Sequence, residues 1–256
     1  MKALSGNQAV VNALNDAKIR TLYVNTPGLH DAEWVQMDKA AYDKMQWDAI
    51  NANYTQVAQE GERLKQLLAK AKMVKITSPA GTNFRLFLGG RPVFVDAGIA
   101  QTAQGGAMTR TANLPGGYVI FAPIETSGNG KFVVPKDNCE PYEKLKGARY
   151  DFANGKLISF KAEQNGKCFQ DMMAASSGAK DMLASVSIGL NPAIKVNEDT
   201  ADYRDRFAAG MVMVGIGANG LYGGKNETTM NWTIPVTQAT VEVDGKVVVK
   251  DGELVK

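Results

Sequence analysis

Histidine is nearly absent from this 256-residue chain, which has one, and cysteine is scarce, with two. A zinc or iron centre built from imidazole and thiolate needs three or four such groups, and no pair here has the short spacing of a zinc signature. Cys139 and Cys168 lie far apart; two separate thiols are the expected state, with a single disulfide as the alternative. No apolar run approaches the roughly twenty residues of a membrane span, and the amino terminus lacks the apolar core of a signal peptide. The expected protein is soluble, either cytoplasmic or exported by a signal outside this chain. Charge of one sign is lacking too: 29 Lys and Arg against 26 Asp and Glu leave +3. With no basic run to form a patch, nucleic-acid binding has no electrostatic footing. Phosphate loops, Gly-x-Ser-x-Gly elbows and dinucleotide fingerprints do not occur.

What is present is an ordinary globular composition, 45% apolar and 21% charged, in a chain long enough to bury a sizeable core. An apolar helical phase at Val10, Val11 and Leu14 precedes a strand-like Arg20 to Asn25. Asp31 caps an expected helix from Ala32 to about Gln46. His30, just before it, reads as structural rather than catalytic. A second helix, about Asp48 to Ala71, puts Tyr54, Val57, Gly61, Leu64, Leu68 and Ala71 on one face, a core stripe.

From residue 72 onward the signals are those of strands. Met73 to Ile76, Phe84 to Leu88 and Val93 to Val95 are short runs separated by turns, and Arg85, Arg91 and Asp96 among them are candidates to line a site. Ala97 to Asn113 reads as a long loop. Leu114 to Pro135 is the stretch on which the chain is organised: a Pro115-Gly116-Gly117 turn, a buried-looking strand Tyr118 to Ala122, then Glu125, a second turn and the returning strand Lys131 to Val134. Asn154-Gly155 between alternating runs marks another hairpin, Phe169 to Leu183 reads as helix interrupted at Ser176-Ser177-Gly178, and Thr240 to Lys256 as short strands around Asp244-Gly245 and Asp251-Gly252. The expected fold is α/β: a mixed, strand-rich sheet with covering helices, residues 1–71 forming an amino-terminal α/β unit and 72–256 the strand-rich domain.

The motifs Leu114-Pro115-Gly116-Gly117, Ala122-Pro123-Ile124-Glu125, Gly189 with Asn191, Gly223-Gly224-Lys225-Asn226 and the closing Val243-Asp244-Gly245 resemble the aminopeptidase T family of metallopeptidases over about Lys72 to the end. The resemblance implies that fold, a hydrolase ancestry, a cavity closed between subunits of a homo-oligomer, and a chain that begins part-way through the family pattern. It also implies a two-metal site, and there this chain departs. Tyr118, Ser185, Met213, Asn231 and Thr233 stand where the family places its glutamate, histidine and aspartate ligands. None carries a fixed negative charge or an imidazole, and a thioether is too soft for such metals.

The expectation is therefore a divergent aminopeptidase-like protein without metal or other cofactor, its former ligand positions converging on one cavity. Either Glu125 acts as a carboxylate base with Lys131 and Arg85 on a small amide or peptide-like substrate held by Tyr118, Asn191, Asn231 and Trp232, or the protein binds ligands or self-assembles without catalysis. A third reading, an active metallo-aminopeptidase, must draw ligands from Glu125, Asp96 and His30. The expected partners are a small molecule or peptide and further copies of the chain.

Overall fold

The structure is a computed structural model that describes residues 8–28, 31–34, 36–100, 107–139, 143–197 and 203–255; His30 lies outside them. The amino-terminal third holds α1 (Gln8–Asp16), β1 (Thr21–Val24), α2 (Asp31–Trp34), α3 (Lys39–Ile50) and α4 (Tyr54–Lys70). Asp38 caps α3 and Asn53 caps α4, each side chain accepting a backbone N–H three residues on. The core stripe falls on α4 as its spacing requires, with Val57, Gly61, Leu64 and Leu68 buried. The first expected helix, however, is two: α2 ends early and α3 starts afresh at its own cap.

Beyond α4 come β2 (Met73–Thr77), β3 (Asn83–Phe87), β4 (Val93–Asp96), α5 (Ala107–Arg110), β5 (Thr111–Leu114), β6 (Tyr118–Phe121), β7 (Asn129–Cys139), β8 (Glu143–Ala153), β9 (Lys156–Lys161), α6 (Lys167–Ala175), β10 (Leu183–Gly189), β11 (Val212–Gly217), β12 (Asn231–Val236), β13 (Thr240–Val243), β14 (Lys246–Lys250) and β15 (Glu253–Leu254). They form two antiparallel sheets, a five-stranded one in the order β12-β11-β10-β6-β4 and an eight-stranded one in the order β15-β14-β13-β2-β3-β7-β8-β9. The protein is thus mixed α/β and strand-rich. No helix among the described residues is long and apolar enough to cross a membrane.

Three expectations are corrected. Part of the supposed loop before Leu114 is β5, which pairs in parallel with β1 from the start of the chain, a long-range partner that no local pattern announces. The helix breaks at Ser176 as expected but does not resume toward Leu183, which opens β10; Ser176, extended at the end of α6, donates its hydroxyl to Met172 O at 2.8 Å. Cys139 and Cys168 are joined as a disulfide across 29 residues, because the end of β7 and the first turn of α6 meet.

One continuous apolar core gathers α4, both sheets and α6. Phe84, Phe132 and Phe152 pack within it, and Tyr150, Phe160, Phe169 and Trp232 form a second aromatic group. Strand alternation decides which face of the five-stranded sheet joins this core. Val119, Phe121, Val186, Ile188, Val212, Val214, Ile216 and Ile234 point into it, which leaves the alternate residues on the opposite face.

Candidate functional site

Those alternate residues floor a cavity of about 650 Å³, within the range of small-molecule sites. In ladder register Ile120 lies opposite Ser187, Ser187 opposite Met213, Ser185 opposite Gly215, Gly215 opposite Thr233, and Gly217 opposite Asn231. Tyr118, Ser185, Met213, Asn231 and Thr233, scattered over 116 residues of sequence, therefore line one cavity. Gly215 makes the room in its middle, since a Cβ there would come within 2.5 Å of Ser185 Oγ.

Walls rise at either side. The 3-10 turn Tyr203–Phe207 brings Arg206 to the cavity, with its guanidinium 4.4 Å from the Phe207 ring centroid, and Phe207 packs on Tyr118. A rim between β11 and β12 contributes Gly220, Leu221 and Tyr222; Met172 and Asp137 close the far side. Burial, then the charge of Asp96 and the neighbouring Tyr222, push the Tyr118 phenol up, with Arg206 pulling the other way; burial raises Tyr222 similarly. Both phenols keep their protons at neutral pH and act as donors. Asp96, in register with Tyr118, is itself pushed up by burial against the hydrogen bonds from Asn113 and Gly98 that hold it.

The other site candidates fall elsewhere. Arg85 is exposed on β3 opposite Lys75 and Asn129, and Lys131 is half-buried on β7 opposite Asn83 and Asp151; both belong to the eight-stranded sheet and neither borders the cavity. Glu125 is held by Arg91 outside the cavity wall. Trp232 borders the cavity, but its indole is 6% exposed, donates to Tyr150 Oη at 3.2 Å and stacks edge-on against Phe169, as its core-side register dictates. Sequence reading overlooked Arg206 and Tyr222, which lie in irregular segments with no periodicity to mark them.

Asn191 is not at the cavity either. Fully buried, it donates to Ala49 O and Gly116 O at 3.0 and 3.1 Å and accepts from Ala193 N at 3.1 Å. With Tyr54 Oη, which donates to Ala49 O and accepts from Gly116 N, it clamps the turn ahead of Tyr118. There Gly117 adopts φ +116° against Val57 and Asn191. Asn191→Ala is expected to cost about 3 kcal/mol, since two buried carbonyls and one partly buried amide lose their bonds, and urea unfolding measures it. A loss under about 0.5 kcal/mol would remove the clamp from this account.

Metal chemistry does not fit this donor set. A non-haem iron site draws on two imidazoles and a carboxylate, and a two-metal hydrolase on more. The cavity offers phenols, hydroxyls, thioethers, an amide and one carboxylate, Asp137, but no imidazole, and no group of three His, Cys, Asp or Glu capable of holding a metal occurs among the described residues.

Comparison with known proteins corrects the aminopeptidase reading. A search among curated protein sequences finds no match. Among solved structures, the 2,5-dihydroxypyridine dioxygenase of Pseudomonas putida KT2440 is similar at TM-score 0.70 and 22% identity, over 98% of this chain and 76% of that one. AmpT of Thermus thermophilus is similar at TM-score 0.61 and 21% identity, over 82% of this chain and 58% of that one, a likeness of fold alone. Both solved structures are similar to this chain in fold, so a fold resemblance does not choose between them. The family model of NicX, 2,5-dihydroxypyridine 5,6-dioxygenase, matches residues 2–256, and the chain belongs to that family.

Proposed function

We propose that the cavity on the five-stranded sheet binds a small hydroxylated nitrogen heteroaromatic of the dihydroxypyridine class. The observation that carries the reading is the convergence of Tyr118, Tyr222 and Arg206 on one side of a cavity floored by Ser185, Ser187, Thr233 and Asn231. Two protonated phenols and a guanidinium suit a ring oxygen that carries partial or full negative charge. The hydroxyls and the amide of the floor serve the ring nitrogen and the second oxygen, while Ile120 and Met213 supply apolar contact to the ring face. Belonging to the dihydroxypyridine dioxygenase family supports the choice of ring. The cavity side chains include no imidazole and a single carboxylate, Asp137, which is not the set a redox metal needs, and ring opening by dioxygen is not part of the reading.

Anaerobic calorimetric titration with 2,5-dihydroxypyridine tests it. Saturable binding at one site is expected, with unsubstituted pyridine failing to compete. Arg206→Gln and Tyr222→Phe should each weaken binding about tenfold or more, the loss of a hydrogen bond to a charged or polarised oxygen. No binding at millimolar ligand, or full affinity in Arg206→Gln, would overturn it.

A further inference from the structure

The stretch Leu114 to Pro135 contains one carboxylate that the cavity does not use. Glu125 follows β6 and Arg91 belongs to the β3–β4 turn; their side chains are 13% and 15% exposed. Arg91 forks onto the carboxylate: Nη1 donates to Oε1 at 2.8 Å and Nη2 donates to Oε2. Nη1 also donates to Gly223 O at 3.0 Å. Glu125 Oε1 accepts from the Lys225 amide at 2.7 Å and from Asn219 Nδ2 at 3.3 Å. Both partners thus grip the segment 218–226, the rim that brings Leu221 and Tyr222 to the cavity.

That rim has little packing of its own. Gly220, Gly223 and Gly224 have no side chains, and Leu221 is 65% exposed. Its short bonds Tyr222 N to Asn219 O and Gly224 N to Asn219 O shape it from within. Two groups of side-chain bonds tie it to the rest of the fold. One is Asn226, which donates to Leu183 O and Gly217 O at 3.0 and 2.9 Å; the other is the ion pair. A bidentate, largely buried arginine–carboxylate pair has the fixed geometry that a flexible glycine-rich loop lacks.

We infer that Arg91 and Glu125 are positioning residues for the cavity, holding the rim so that Tyr222 and Leu221 stand over the ligand space. The effect on ligand rests on the heteroaromatic reading above; the effect on the rim does not. Arg91 from the β3–β4 turn and Lys225 from the rim are the charged residues that meet Glu125, while the β8–β9 turn at Asn154-Gly155, packed against its carbonyl, brings none. Burial works against the Glu125 charge, but the Arg91 hydrogen bonds and the Lys225 amide hold its pKa below the ordinary carboxylate range. A depressed folded pKa means that the clamp is complete above the unfolded value, about 4.3, and is lost as pH falls through the folded one.

Hydrogen-exchange protection of residues 218–226, set against that of β10 and β11, tests the clamp without any ligand. Glu125→Gln should lower rim protection at least tenfold at neutral pH and leave β10 and β11 unchanged; Arg91→Lys, which keeps the charge but not the fork, should lower it less. Acidification through the Glu125 range should lower rim protection further in the unsubstituted protein and in Arg91→Lys, which keep the carboxylate, and not in Glu125→Gln. Binding of 2,5-dihydroxypyridine should weaken at least tenfold in Glu125→Gln. Unchanged rim protection in both variants, or loss spread equally over β10 and β11, overturns the inference. If the unsubstituted protein fails to bind the heteroaromatic while the rim behaves as expected, the ligand reading falls and the clamp stands.

Discussion

Replacing four cavity residues together, Ser185→Glu, Met213→His, Asn231→His and Thr233→Asp, is expected to create a zinc site with a dissociation constant of about 1 μM or tighter, measured by competition with a chelating dye. The reason is the register. Ser185 and Thr233 flank Gly215 on neighbouring strands, Met213 stands two residues along the same central strand, and Asn231 two residues from Thr233 on β12. Neighbouring strands lie about 4.8 Å apart, so glutamate and histidine side chains from these positions reach a common point above Gly215. Two carboxylates and two imidazoles brought together without a cation lose hydration, and the like charges repel. The metal-free variant should therefore melt on the order of 10 °C lower than the unsubstituted chain and recover most of that loss when zinc is added. A folded variant that takes up no more zinc than the unsubstituted protein would show that the four positions do not share one point.

A large loss from a single methyl group is expected at Gly189. It ends β10 next to Tyr118 in the ladder, and a Cβ there would lie 2.0 Å from Ala208 O and 2.8 Å from Arg206 O. Both obstacles are backbone, so neither can swing aside. The segment that would be displaced carries Arg206 and Phe207, and it is tied down beside Gly189 by Leu190 N and Asn191 N, both donating to Phe207 O. Gly189→Ala should destabilise the protein by about 3 kcal/mol or more, on the order of 10 °C in melting temperature for a chain of this size. It should also abolish binding of 2,5-dihydroxypyridine in whatever fraction remains folded, because the guanidinium leaves the cavity. Thermal unfolding followed by circular dichroism and calorimetry on the folded variant measure the two effects. A melting temperature within 2 °C of the unsubstituted protein, at the precision this size scaling allows, would mean that the Arg206 segment yields more readily than its bonds suggest.

The sequence by itself determined the elements whose cause is local. Asn154-Gly155 turns β8 into β9 because both residues take positive φ, +51° and +73°. Asp244-Gly245 and Asp251-Gly252 do the same at the carboxy terminus. The stripe from Val57 to Leu68 made α4 a core helix because residues three and four apart share a face. Alternation along β6, β10, β11 and β12 separated core residues from cavity residues, and motif positions brought five of the latter to notice before any partner was known. What alternation cannot carry is the identity of the neighbour. That β5 pairs with β1, that Cys139 meets Cys168 and that Asn191 reaches Ala49 depend on contacts between residues far apart in the chain. Only the assembled sheets decided them. The same holds for Glu125, conspicuous in the sequence as a carboxylate at a strand end, whose role turned on Arg91 and the Lys225 amide, 34 and 100 residues away. A carboxylate is a base or a clamp according to what neutralises it, and the tertiary fold chooses the neutralising partner.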